Sequence, residues 1–277
     1  CTEVSYDGKK IVFAVRCPTS NTSTGPGASG TPVPACTGRW NIWEYDMTGT
    51  TGMTNGQFRR LTSSTQDDDV DPAYLPAGGG FVFASNRQAK SKLNQALGKQ
   101  YKALDEYERE TVLNLHTMDN AGGNIAQITF NQSHDRNPVV RAEGDIMFSR
   151  WEHVGDRNRF AIFTVKPDGT NMFVFYGAQS PGNSFLHPRE MDPKGPYNGY
   201  LSSSLMPLSR TQEGGALMFI NSKDYSENNT PANTTIPAQG GQTTITAASV
   251  SSGRGLSLGG RVTTPYPLWD GTNRAPV

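Results

Sequence analysis

The sequence predicts an all-β fold, a β-propeller of four-stranded antiparallel blades carrying one small inserted helix, and three observations lead there. A strand centred on phenylalanine recurs as "DGKKIVFAVR", "AGGGFVFASNR", "EGDIMFSR" and "EGGALMFINSK", around Phe13, Phe83, Phe148 and Phe219. A shared lead-in, "DVDPAYLP" (Asp69 to Pro76) and "DRNPVVRA" (Asp135 to Ala142), precedes two of these strands, and "LHPREM" (Leu186 to Met191) reads as a third. A second hairpin type follows them, in "WNIWEYDMTGTTGMTNGQFRRLT", "VLNLHTMDNAGGNIAQITF" and "FAIFTVKPDGTNMFVFY".

Each element has a local cause. Asp-Gly at 7–8 suits a tight turn needing positive φ, and the β-branched and aromatic run after it suits a buried strand. The second hairpins alternate apolar and polar residues on both sides of a Gly-bearing turn. Lead-in, phenylalanine strand and hairpin make four antiparallel strands, and a repeated unit of that kind buries its faces against its neighbours in a propeller. Trp43, Tyr45, Phe163 and Phe175 are thereby accounted for as core.

Successive central phenylalanines are 65 to 71 residues apart, beyond the roughly 40–45 of a bare blade, so insertions are required. The blades are expected over 1–223, with inserts at 18–38 and 88–110, then a Thr/Ser/Gly-rich excursion over 224–262 that is either surface loop or weak edge strands, and the start of a further blade at 263–277. Leu93, Leu97, Tyr101 and Leu104 lie at helical spacing, which predicts one amphipathic helix from Ser91 to Glu110, its basic residues first and acidic ones last, against the helix dipole. The chain starts and stops inside a repeat, so a closed ring is expected to draw on further sequence or on another chain.

Lys+Arg and Asp+Glu number 25 each, for a net charge of zero, which disfavours nucleic acid and anionic membranes as partners. No apolar run reaches the roughly 18 residues of a membrane helix, and no charged region followed by an apolar one opens the sequence, so any export signal is expected to have been removed. Cys17 and Cys36 bracket a segment poor in apolar residues, where a disulfide would stabilise by about 3 kcal/mol and would point to an extracytoplasmic compartment; two separate buried thiols are the alternative. Cys1 is a candidate lipid-anchor position, although a strand follows it at once.

The combination of "FNQSHD" and its following proline with "SRWE" and "PDGTN", joined to "VSYDGKKIVFAVR", "LPAGGGFVFASNRQ" and "FLHPREM", resembles the propeller region of hydrazine synthase alpha-subunit-like proteins, a group of exported bacterial proteins related to TolB and WD40-like propellers. The resemblance spans most of Val4 to Met191 and resumes at "TTPYPLWDGTN". It implies a propeller and an exported location. The hydrazine synthase itself also carries c-type haem domains, but covalent haem needs C-x-x-C-H, whereas Cys17 is followed by "PTS" and Cys36 by "TGRW", so this chain is expected to hold no such haem.

The lead-ins begin the strands expected to be innermost, and they bring candidate ligand-binding residues toward the mouth of a channel: Asp69 and Asp71, His134 and Asp135, and His187, Arg189 and Glu190. Asp67, Asp68 and Asp69 are candidates for a divalent cation. Three readings stay open for this set: a cation, a polar ligand or peptide, or turns in which Asp and Asn satisfy local backbone N–H groups. "DDDVD" lacks the Gly and Glu of an EF-hand, and no two of His116, His134, His153 and His187 have helical metal spacing. No G-x-S-x-G is present, and catalytic residues are unassigned. Arg16, Arg87 and Arg150 follow the phenylalanine strands and are expected to anchor blade to blade through carboxylates.

These features predict a binding or scaffold unit working with other protein subunits in an extracytoplasmic assembly. The alternatives are a subunit of a haem-containing redox enzyme whose cofactors lie outside this chain, and a surface or filament protein.

Overall fold

The computed structural model describes residues 2–16, 38–48, 58–99, 104–105, 109–208 and 214–275. Cys1, Cys17, Cys36 and Tyr101 fall outside them, so the anchor and disulfide expectations concern residues not described. Two compact units are present, one formed by Cys1–Val140 with Pro167–Gly169 and the other by Arg141–Lys166 with Thr170–Val277.

The first unit contains two antiparallel four-stranded sheets in sequence order. One comprises β1 (Thr2–Val4), β2 (Lys10–Arg16), β3 (Trp40–Asp46) and β4 (Phe58–Arg60). The turn into β2 is built as the Asp-Gly pair requires: Gly8 holds φ +69°, and Asp7 Oδ1 accepts from Ser5 Oγ at 2.7 Å and from the Lys9 N–H at 3.1 Å. The other comprises β5 (Asp69–Tyr74), β6 (Phe81–Ser85), β7 (Asn114–Met118) and β8 (Ala126–Gln127). A further strand, β9 (Asp135–Val140), packs against β5, β6 and β7. Val12, Ile42, Leu61, Phe81, Phe83 and Met118 form one buried cluster, so residues from both sheets share a core.

Helix α1 (Ala89–Ala96) is far shorter than the helix expected over Ser91 to Glu110. Gly98 leaves the helix at φ +74°, and Leu104 bridges Thr111 in antiparallel fashion, an arrangement no helix permits. The expected apolar stripe does not pack, since Leu93 and Leu97 are 63% and 65% exposed.

In the second unit, β10 (Ile146–Val154), β11 (Arg157–Val165) and β12 (Phe173–Tyr176) form a meander. A four-stranded antiparallel set follows: β13 (Ser184–Glu190), β14 (Leu201–Met206), β15 (Ala216–Ile220) and a last strand at Gln242–Thr244. Between those last two lies the short hairpin β16 (Tyr225–Glu227) and β17 (Thr230–Pro231), which makes Gln242–Thr244 strand β18. The Thr/Ser/Gly-rich excursion therefore supplies a genuine edge strand. The segment expected to open a further blade contains no strand between Thr263 and Ala275; Val262 bridges Gly215, and Trp269 Nε1 donates to the Glu190 carbonyl at 3.1 Å.

The repeat reading misplaces its fourth phenylalanine. Phe13 and Phe83 occupy the second strands of their four-stranded sheets and Phe148 lies on β10, the strand after lead-in β9, but Phe219 lies on β15, opposite Ser202 of β14 and one strand beyond the strand after lead-in β13. A bulge identifies the true counterpart. Val70 pairs Ala84 and Ala73 pairs Val82, leaving Phe83 across from the bulge; Leu186 pairs Ser204 and Arg189 pairs Ser202, leaving Ser203 there. Ser203 is fully buried and its Oγ donates to the Leu186 carbonyl at 2.9 Å, so a hydroxyl replaces the aromatic ring.

Candidate functional site

Each lead-in places its pre-proline residue in the left-handed region: Asp71 at φ +52°, Asn137 at +54° and His187 at +51°. Proline normally drives its predecessor to extended backbone, so this recurring conformation is costly and has to be held by neighbouring structure. In β5 and β13 it coincides with the bulge.

In the first unit the bulge is held by side chains. The Asp71 carboxylate accepts from Arg136 Nε at 2.9 Å, from the Asn137 backbone N–H at 3.2 Å and from Asn137 Nδ2 at 3.3 Å. Asp69, fully buried, receives a two-pronged bond from Arg87, Nε at 2.8 Å and Nη2 at 2.6 Å, together with Ser85 Oγ at 2.7 Å. This planar match of guanidinium to carboxylate is the strongest kind of side-chain pairing. Burial works to lower the Arg87 pKa, but the bonds and charge of Asp69 raise it above the usual arginine value. Asp68 pairs with Arg39 at 2.9 Å, and Asp67 with Lys92 at 2.5 Å. Burial pushes the Asp67 carboxyl up, but bonds from Lys92 and Ser64 bring it below the ordinary range.

His134 Nδ1 accepts from the Leu113 N–H at 3.1 Å, which puts the proton of the neutral ring on Nε2, 3.7 Å from Glu110. Asp135 accepts from Asn131 Nδ2 at 3.0 Å. In the second unit, Glu190 accepts from the Ala142 N–H at 2.7 Å and lies 3.5 Å from Arg141 Nε, while the Arg189 guanidinium sits 4.8 Å over the Tyr266 ring. Asp69, Asp71, His134 and Asp135 thus belong to one unit and His187, Arg189 and Glu190 to the other.

The arginines behind the phenylalanine strands do not act alike. Arg87 reaches a carboxylate, and that carboxylate lies on the neighbouring strand of its own sheet rather than on another blade. Arg16 donates to the Gly38 carbonyl at 2.9 Å, and Arg150 lies 5.4 Å over the Phe163 ring. Arg87 is within reach of Asp69 because Asp69 of β5 pairs with Ser85 of β6, two residues before Arg87.

His116, on β7, is 2% exposed and stacks on Phe83 at 5.7 Å. Its Nδ1 must donate to the Asn114 carbonyl, 2.9 Å away, and buried Nε2 has no hydrogen-bond partner. Burial lowers its pKa to about 4. Among the described residues, no three or more His, Cys, Asp and Glu side chains are grouped to hold a metal ion, and no helix is long and apolar enough to cross a membrane. The cations Arg39 and Lys92 escaped the sequence reading, since their partners lie 29 and 25 residues away with no local pattern to join them.

No family model and no curated protein matches the chain. Among solved structures it is similar to Kuenenia stuttgartiensis hydrazine synthase, at 16% identity and a TM-score of 0.62 over 98% of this chain and 34% of that one. It is also similar to TolB from Acinetobacter baumannii, at 15% identity and a TM-score of 0.44 over 80% of this chain and 40% of that one. The chain therefore spans about a third of the solved hydrazine synthase chain. The first likeness, together with the repeated antiparallel four-stranded sheets, shows a propeller-like fold.

Proposed function

We propose that the chain is an exported propeller module of the hydrazine synthase alpha-like group, serving as a binding or scaffold unit in a larger extracytoplasmic assembly. The observation that carries this reading is the engagement of the lead-in carboxylates. Asp69 is held by Arg87, Asp71 by Arg136 and Asn137, and Glu190 by Arg141 and the Ala142 N–H, so these groups act as ties that hold strained inner strands. A rigid platform of this kind leaves recognition to its surfaces. Val154 and Phe173, 74% and 64% exposed in the second unit, supply apolar area of the sort that protein partners cover.

The test is cell fractionation followed by native mass measurement and a haem stain on the undissociated material. The expected result is a particle in the extracytoplasmic fraction, well above the 30.0 kDa of this chain and free of haem bands. A cytoplasmic or strictly monomeric species would overturn the scaffold reading. Haem bands co-migrating with the particle would favour the redox-subunit alternative.

A further inference from the structure

The three consecutive aspartates at 67–69 form three separate ion pairs in the first unit, and these pairs share an orientation. The carboxylate side chains are 11%, 25% and 0% exposed, while their partners Lys92, Arg39 and Arg87 are 46%, 43% and 22% exposed. The anions thus lie inside and the cations outside. All the carboxylate oxygens are engaged: Asp67 Oδ1 by Lys92 and Oδ2 by Ser64, Asp68 Oδ2 by Arg39 and Oδ1 by the Trp40 N–H, and Asp69 by both prongs of Arg87.

Arg39, Arg87 and Lys92 line a cavity of about 440 Å³, inside the roughly 300–1,000 Å³ range of small-molecule sites. After its internal pairing each cation keeps N–H donors, since Lys has three and Arg five. Gln66 and Asn86 also line it, and Asn86 Oδ1 already accepts from the Asp68 N–H at 2.9 Å, which leaves its NH₂ group as a donor. Asp67 lines the cavity too, but its two carboxylate oxygens are engaged by Lys92 and Ser64, so the charged part of the wall offers donors. A ligand bringing oxygen acceptors matches these donors, and the outward cations favour negative charge.

We propose that this cavity binds a small oxyanion, the carboxylate or phosphate group of a small molecule, with Arg39 and Lys92 as its principal contacts and Arg87 anchored beneath by Asp69. The site goes beyond the scaffold role and does not depend on it.

The test is isothermal titration calorimetry on the full chain at low ionic strength, with inorganic phosphate and citrate as separate probes. Saturable binding that weakens with added salt is expected for at least one. Arg39→Gln and Lys92→Gln should each weaken it about tenfold or more, Lys92→Arg should retain it, and Lys10→Gln, whose lysine pairs with Glu44 away from the cavity, should leave it unchanged. Thermal melts of each variant verify folding, and both neutralised cations are about half exposed. Phosphate binding alone would identify an inorganic-ion site, and tighter citrate binding an organic-acid site; either upholds the oxyanion assignment. No heat from either probe up to about 10 mM, or equal weakening in Lys10→Gln, would overturn it.

Discussion

The Asp71 carboxylate accepts from both the backbone N–H and the side-chain amide of Asn137, a residue 66 positions further along the chain. Both residues precede proline and both hold positive φ, so one strained lead-in bend is tied directly to the next. The bond joins two segments that sequence reading recognises only as similar lead-ins.

Asp71→Ala should therefore destabilise the fold by about 1–3 kcal/mol, because it removes the carboxylate that Arg136 Nε and the Asn137 N–H share. Asp71→Asn retains a carbonyl acceptor and should cost clearly less. Urea denaturation of the pair against wild type checks the ranking, and equal stabilities for the two variants would contradict it.

Two glycines of similar φ should respond very differently to alanine. At Gly122, φ +84°, an added Cβ would lie 2.1 Å from the Leu61 carbonyl oxygen, a backbone atom that cannot step aside. At Gly8, φ +69°, nothing lies within 4 Å. Gly8→Ala should cost only the left-handed penalty of about 1–2 kcal/mol, and Gly122→Ala at least twice that. Comparable melting temperatures for the two would count against the packing at Gly122.

Acid should weaken the fold through His116. Burial lowers its folded pKa to about 4 from an ordinary 6.5, so the folded state prefers the neutral ring and the unfolded chain takes up a proton first as pH falls. The contribution is complete above the unfolded value, is lost progressively between 6.5 and about 4, and amounts to something on the order of 2–3 kcal/mol. His116→Phe should flatten the stability–pH slope in that window. An unchanged slope would mean that other groups set it.

Helix α1 should tolerate polar residues on its expected apolar face. Leu93→Gln and Leu97→Gln, at positions 63% and 65% exposed, should each shift stability by no more than about 0.5 kcal/mol. Losses above about 2 kcal/mol would show that this face is covered.

Local chemistry made much of the fold legible. The Asp-Gly turn at 7–8, the alternating hairpins and the Phe83 and Phe148 strands depend on backbone preference and period-two burial, which short windows carry. Reading failed where partners were distant or a repeat had changed its chemistry. Phe219 imitates the repeat while Ser203 occupies its place, because that buried position accepts either a ring or a hydroxyl that finds a carbonyl. Leu93, Leu97 and Leu104 keep helical spacing, yet Gly98 and the Leu104–Thr111 bridge divert the chain before the last of them.

The sequence by itself determined the repeated antiparallel units and the residues at their bends, since turns and strands answer to neighbours a few positions apart. Tertiary structure alone decided what the acidic run at 67–69 does. Whether a carboxylate binds a cation, caps a turn or pairs with arginine depends on which charge the fold brings within about 3 Å, and here Lys92, Arg39 and Arg87 arrive from 18 to 29 residues away.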